Sequence, residues 1–257
     1  MTQEMVDSLG IKVAQLDIVI EGEGGSVANN EVDFKEVYRK LRDKKTISTS
    51  AVSIGRFTDI FDNILSEGEN DILYLGFSSG LSSTYSSGKI ALSDLQEKYP
   101  DRKIYIVDSL GASSGYGLIM DKLADLRDSG MSIDEVKDWA EANRLKLHHW
   151  FFSTDLTFFI KGGRVSKVSG WFGTILKICP LLDMDKLGHL VPRFKVREKK
   201  RVIVEIVNKM EQFAEGGLDY NGKCFISNAA CYEDARAVAD LVEERFPKLN
   251  GKVEIYS

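Results

Sequence analysis

Histidine and cysteine are scarce in this 257-residue chain, three of each, and neither set has the spacing of a metal site. His148 and His149 are adjacent and on a strand would point to opposite faces, while His189 stands apart. Cys179, Cys224 and Cys231 are odd in number, contain no C-x-x-C and lie in or beside apolar runs, so they read as reduced core thiols. No structural metal is expected. An excess of positive charge is also missing. The 34 basic and 39 acidic residues leave a net charge of −5, which argues against general affinity for nucleic acid but leaves room for a local basic patch. No apolar run approaches the ~20 residues that span a bilayer, so stable membrane insertion is not expected. The first residues lack the basic start and apolar centre of a signal peptide, which makes a cytoplasmic location the expectation.

With 43% hydrophobic and 28% charged residues, the composition is that of a globular protein with a large core, and the length suits one large or two modest domains. The chain is rich in hydroxyl side chains at two places. Residues 76–88 hold six serines and Thr84 within thirteen positions, after the strand-like run 71–75 and before a helical pattern. Residues 46–53 form a second cluster that again precedes a periodic helix. Strand-to-helix turns present backbone N–H groups at the positive end of a helix dipole, and each hydroxyl adds a donor. Two such loops facing each other would hold a carboxylate or phosphate without a cationic side chain. Serine and threonine at these positions also cap helices and fill turns.

Along the first part of the chain, short apolar runs alternate with amphipathic helices, the pattern of a parallel α/β sheet. Strands are predicted over residues 12–20, 71–77, 103–108 and 149–153. Ile54, Phe57, Ile60, Phe61, Ile64 and Leu65 follow helical spacing, as do Val136, Trp139 and Ala140, the latter helix opened by a Ser132–Glu135 capping box. Past residue 156 the texture changes. A helix is predicted over 165–177, then strands 178–184 and 189–196 joined by a hairpin-like turn, a helix with Val202, Ile203, Ile206, Val207, Met210 and Phe213 on one face, strand 223–228, helix 234–246 and strand 252–256. The expected architecture is a two-lobed α/β protein. Residues 1–155 form a parallel-sheet lobe carrying the hydroxyl loops, and residues 156–257 form a smaller α/β lobe.

Two further features carry chemistry. Residues 76–80 satisfy the G-x-S-x-G nucleophile elbow, centred on Ser78, in the strand-to-helix context it needs. That pattern admits a serine hydrolase acting on acyl esters, but the candidate partners Asp183 or Asp185 with His189 are cramped together, and Ser86 with Lys89 gives only an S-x-x-K match inside a helix. Between Arg193 and Arg201, six of nine residues are Lys or Arg. Several of these cations fall near the start of the Val202 helix, where the dipole disfavours positive charge, so local stability does not account for them. A solvated face is the usual reading of such a charge run, and docking to an acidic partner is the alternative.

The two hydroxyl loops resemble motifs of the DegV family of bacterial fatty-acid-binding proteins. Thr49-Ser50-Ala51-Val52-Ser53 is similar to that family's Thr-Ser-Gln-Pro-Ser, and residues 78–85 to its Ser-Ser-x-Leu-Ser-Gly-Thr-Tyr. Asp108-Ser109 with Ala112 and Gly115, then residues 161–167 and 195–201, follow in the family's order and approximate spacing. Ala51, Val52 and Ser83 depart from the pattern. The family's opening strand ending in Asp-Ser and its C-terminal Thr-His pair have no counterpart here, which is the expectation for a form shortened at both ends.

The resemblance implies a protein without intrinsic catalysis or cofactor that holds one long-chain fatty acid. Thr49 and Ser82, supported by Ser50 and Ser79, would bind its carboxylate. Phe77, Phe158, Phe159, Trp171, Phe172, Ile175 and Leu176 become candidates for the wall of an apolar tunnel. It also implies a fatty-acid kinase subunit as partner, with Arg193, Arg197, Lys200 and Arg201 as docking residues. Any ATP would belong to that partner, since this chain has no P-loop or kinase Gly-rich loop. The energetics are consistent with such a ligand. Acyl burial gains ~0.8 kcal/mol per CH₂, while the carboxylate must exchange water for protein donors.

Overall fold

The computed structural model describes residues 2–68, 70–166 and 178–256. They form a mixed α/β fold of two compact units, Met1–Ser109 with Met120–Asn143, and Leu110–Ile119 with Arg144–Ser257. The chain therefore does not divide by a single cut near residue 155. Strand pairing supplies the physical reason, because Trp150–Phe152 hydrogen-bonds to the strand that begins at Ile178 and so joins the second unit.

In the first unit, α1 (Gln3–Ser8) precedes β1 (Asp17–Ile20), β2 (Ser26–Ala28), α2 (Phe34–Arg42) and β3 (Ile47–Thr49). The three strands make an antiparallel sheet in the order β2-β1-β3, with Ile18 paired to both Val27 and Thr49. The predicted strand 12–20 is thus shorter than expected and belongs to an antiparallel sheet. Next come α3 (Ile54–Ser66), β4 (Ile72–Gly76), α4 (Thr84–Lys98) and β5 (Ile104–Asp108), and β4 and β5 pair in parallel from Ile72↔Ile104 to Gly76↔Asp108. Helix α5 (Ser113–Asp128) belongs to the second unit as far as Ile119 and to the first from Met120, and α6 (Ile133–Asn143) follows in the first. The Ser132 capping box is present, with the Ser132 N–H donating to Glu135 Oε2 at 2.8 Å.

The core of this unit follows from the period of α3. Phe57, Phe61 and Leu65 recur every four residues and are buried against Ile72, Ala91, Leu92 and Leu95. Each such side chain contributes roughly 1.5–3 kcal/mol on burial. Tyr74 of β4 lies 5.2 and 5.5 Å from the Phe57 and Phe61 rings. Gly88 of α4 leaves space for it, since a Cβ there would fall 2.6 Å from Tyr74 Cε1.

The second unit contains β6 (Trp150–Phe152), α7 (Thr157–Lys161), β7 (Ile178–Met184), β8 (Leu190–Arg197), α8 (Lys199–Phe213), β9 (Cys224–Ser227), α9 (Tyr232–Arg245) and β10 (Val253–Tyr256). Strands β6-β7-β8 are antiparallel, and β9 and β10 pair in parallel. The β7–β8 turn is held by Asp185, whose carboxylate accepts the Leu187 and His189 N–H groups, and by Gly188 at φ 77°. Val207, Val238, Val242, Phe246 and Leu249 form one core, and Cys179, Leu181 and Val202 another. Of the helix predicted over 165–177, Val165 and Ser166 are not helical and the remainder lies outside the described residues.

Candidate functional site

The strand-to-helix turns predicted from the hydroxyl clusters are both present in the first unit. After β3, the Ser50 N–H donates to the Asp17 carbonyl at 3.0 Å. Val52 is buried in the core, and Ser53 Oγ caps α3 by accepting the Arg56 N–H at 3.2 Å. After β4, Ser78 is fully buried. Its Oγ accepts the Gly80 N–H at 3.2 Å, and its carbonyl accepts the Leu81 and Ser82 N–H groups. Asp108, buried at the end of β5, accepts the Ser79 N–H at 3.3 Å. Gly76 has no room for a side chain, because a Cβ would lie 2.5 Å from Tyr85 Cδ2. The loop is therefore set by sterics and by backbone hydrogen bonds together.

Thr84 links the two loops. Thr84 Oγ1 accepts the Val52 N–H at 3.3 Å and lies 2.9 Å from Ser82 Oγ, which also accepts the Thr84 N–H at 3.2 Å. Either hydroxyl of this pair can donate to the other. When Thr84 donates to Ser82, Ser82 has accepted two hydrogens and its own O–H is left to donate outward. Thr84 and Asp108 were not among the residues singled out as binding groups. The Ser-x-Thr spacing of Ser82 and Thr84 is a local signal for the first, but its link to Val52, 32 residues away, has none.

Of the four predicted binding residues, Thr49, Ser50 and Ser79 have exposed side chains that make no hydrogen bond among the described residues, and Ser82 is half-buried within the hydroxyl chain. Two of the groups weighed for a hydrolase make structural contacts. Ser78 is shut away from solvent, and Asp185 holds the hairpin turn on which His189 sits, 3.4 Å from His189 Nδ1. Of the proposed tunnel wall, Phe77 is half-buried, Phe159 packs on Phe151 at 5.8 Å and Phe158 is exposed. Trp171, Phe172, Ile175 and Leu176 lie outside the described residues.

In the second unit, the basic segment spans the end of β8 and the first turn of α8. Arg193 pairs with Asp183 at 2.7 Å, and Lys199 with Asp234 at 2.9 Å. The hydrogen bond to that carboxylate raises the Lys199 pKa. Arg197, Lys200 and Arg201 are exposed and form no ion pair among the described residues. Among the described residues there is no group of His, Cys, Asp and Glu able to hold a metal ion, and no helix long and apolar enough to cross a membrane.

Linked hydroxyl loops at the ends of β3 and β4, on a mixed α/β chain of two units, define a protein of the DegV fold class. The chain belongs to the DegV family, whose model, described as an uncharacterised DegV family protein, matches residues 1–256. It is 36% identical over 219 residues to a DegV domain-containing protein of Clostridium perfringens, covering 85% of this chain and 74% of that one. Among solved structures, a Thermus thermophilus DegV family protein described by its fatty acid binding superposes with a TM-score of 0.79 at 25% identity, over 99% of this chain and 88% of that one. The Streptococcus pneumoniae fatty acid kinase (Fak) B3 protein loaded with linoleic acid gives a TM-score of 0.79 at 22% identity, over 94% of this chain and 82% of that one.

Proposed function

We propose that this protein binds one long-chain fatty acid and presents its carboxyl group to a partner fatty-acid kinase, without catalysing the transfer itself. The observation that carries this reading is the hydroxyl chain from the Val52 N–H through Thr84 to Ser82. With Thr84 as the donor of that pair, the Ser82 O–H serves a further acceptor, beside three hydroxyls on Thr49, Ser50 and Ser79 that make no hydrogen bond among the described residues. A carboxylate bound by neutral donors keeps its charge and its nucleophilic oxygens, which is the state a phosphoryl-transfer partner requires. The fatty acid bound by the Thermus thermophilus relative supports the ligand class. The kinase half rests on the cations Arg197, Lys200 and Arg201, which form no ion pair among the described residues and lie at the dipole-disfavoured start of α8.

Native mass spectrometry of the protein purified from bacterial cells is expected to show one co-purified fatty acid. Protein that stays empty and takes up none on incubation would refute the ligand. Arg197→Ala with Arg201→Ala is expected to leave fatty-acid uptake intact but slow phosphorylation by the cognate kinase, with the difference from wild type shrinking at high salt. If that variant loses the lipid yet keeps its kinase contact, the basic segment belongs to the binding site instead.

A further inference from the structure

In the first unit, an arginine with unused donors stands beside one of the hydroxyl loops. Ile18 of β1 pairs with Thr49 of β3, and the 3.0 Å bond from the Ser50 N–H to the Asp17 carbonyl carries that register one residue further. Strand alternation then parts the two hydroxyls. Thr49 shares a face with Ile18, which is 6% exposed, whereas Ser50 shares the other with Asp17 and with Val19, which is 37% exposed. Side chains directly opposite on paired strands stand about 5 Å apart at Cβ, so the Asp17 carboxylate is a neighbour of Ser50. On that outer face, Asp17 Oδ1 accepts a 3.1 Å hydrogen bond from Arg56 Nη1. Arg56 belongs to the first turn of α3, where Ser53 Oγ accepts its backbone N–H, so the backbone and side chain of one residue together close the loop over 50–53. The Nε and Nη2 of Arg56 make no hydrogen bond among the described residues, and its side chain is 40% exposed. Most of its donors are therefore available to a ligand.

The chemistry of the proposed reaction indicates what such a group would meet. A carboxylate oxygen of the bound fatty acid bonds to the γ-phosphorus of ATP held by the partner, the bond from that phosphorus to the bridging oxygen breaks, and ADP leaves with the oxygen. No proton changes hands. The head group passes from a monoanion to an acyl phosphate dianion, and neutral hydroxyl donors that suffice for the first leave the added charge unmatched. A guanidinium is planar, permanently charged and able to reach two phosphate oxygens at once. We infer that Arg56, with Ser50, forms a phosphoryl subsite on the outer face of the loop, while Thr49 serves the carboxylate from the inner one. This rests on the phosphorylation proposed above and deepens it by naming the group that tells product from substrate. Asp17 holds the guanidinium in place and, being an anion itself, tempers the affinity for the product.

The test compares palmitate with hexadecyl phosphate, a stable stand-in for the acyl phosphate, by displacement of a fluorescent fatty acid from the full chain at pH 8, where a phosphate monoester is a dianion. The quantity read is the ratio of the two affinities. Arg56→Gln is expected to lower the phosphate-to-palmitate ratio at least about tenfold, and Arg56→Lys, which keeps the charge but not the fork, to lower it less. Asp17→Asn should raise the ratio, since it removes an anion and leaves the backbone bond from Ser50 in place. A partly exposed ion pair adds little to stability, so all three variants are expected to fold. If Arg56 only braces the loop, Arg56→Gln and Asp17→Asn weaken both ligands equally, and that result overturns the inference, as does a ratio that neither variant moves. Wild type that binds palmitate but not hexadecyl phosphate also overturns it and leaves fatty-acid binding standing. Wild type that binds neither overturns the proposed function along with it.

Discussion

Replacing Thr84 with valine removes one oxygen at nearly constant volume, and the consequences divide between folding and binding. The Val52 N–H would lose its acceptor while Val52 itself stays 3% exposed. An unsatisfied buried donor costs roughly 1–3 kcal/mol, and the lower half of that range applies because a 3.3 Å hydrogen bond is at the long end of the normal distribution. For a chain of this size the melting temperature should fall by roughly 2–8 °C. Binding changes through Ser82. With Thr84 as the donor of the Ser82–Thr84 pair, it fills one lone pair of Ser82 and the Ser82 proton points outward. In the variant that proton is free to turn. On the proposed reading Ser82→Ala deletes a hydrogen bond to a charged group, worth about 1.5–3 kcal/mol, or roughly 10- to 150-fold in affinity. Thr84→Val should cost less than this. Because Thr84 acts only through Ser82, the double variant should bind no worse than Ser82→Ala alone. Titration with a fluorescent fatty acid measures all four corners of the cycle, and Thr84→Ser, which keeps the oxygen, should behave as wild type. Additive losses would show that Thr84 touches the ligand itself, and an unchanged Thr84→Val affinity would show that the hydroxyl chain is structural only.

Two other perturbations probe the packing around this site and the buried histidine. Gly88→Ala would gain helix propensity, yet its Cβ meets Tyr74 at 2.6 Å within the Phe57–Phe61–Tyr74 cluster, so a net loss of about 1–3 kcal/mol is expected in denaturant unfolding, and any gain would refute the overpacking argument. Burial, followed by the charge of His148, pushes the His149 imidazole down to about 4 from an ordinary value of 6.5, and its buried Nε2 has no hydrogen-bond partner among the described residues. With the folded value below the unfolded one, the unfolded chain binds more protons between them. The stabilisation from neutral His149 is therefore complete above pH 6.5 and fades toward pH 4, by a span on the order of 3 kcal/mol. Equilibrium unfolding of His149→Gln should show a flatter slope across that window, and a slope equal to wild type would mean that other groups carry it.

The elements legible in the sequence were those whose signal is local. Helix α3 shows its core face directly in the spacing of Phe57, Phe61 and Leu65, and β4, β5, β9 and β10 are short apolar runs between turn residues. Helix α2 was equally readable in principle, since Asp33 caps it and Phe34, Val37, Tyr38 and Leu41 keep helical spacing, but a single fully buried residue, Val37, makes its stripe faint. Strands β2 and β3 are three residues each, too short for alternation to register. The division into units was the least legible feature, because it depends on Trp150 pairing with Asp183 across 33 positions, and no window along the chain contains that hydrogen bond. The candidate site follows the same logic. That hydroxyls crowd the ends of β3 and β4 is plain from composition, whereas which hydroxyl orients which depends on a contact between Val52 and Thr84. Residue type thus announces the chemistry of a loop before folding is considered, and only the fold distributes the roles: Ser53 to capping, Ser78 to the buried turn, and Thr84 with Ser82 to the link between the loops.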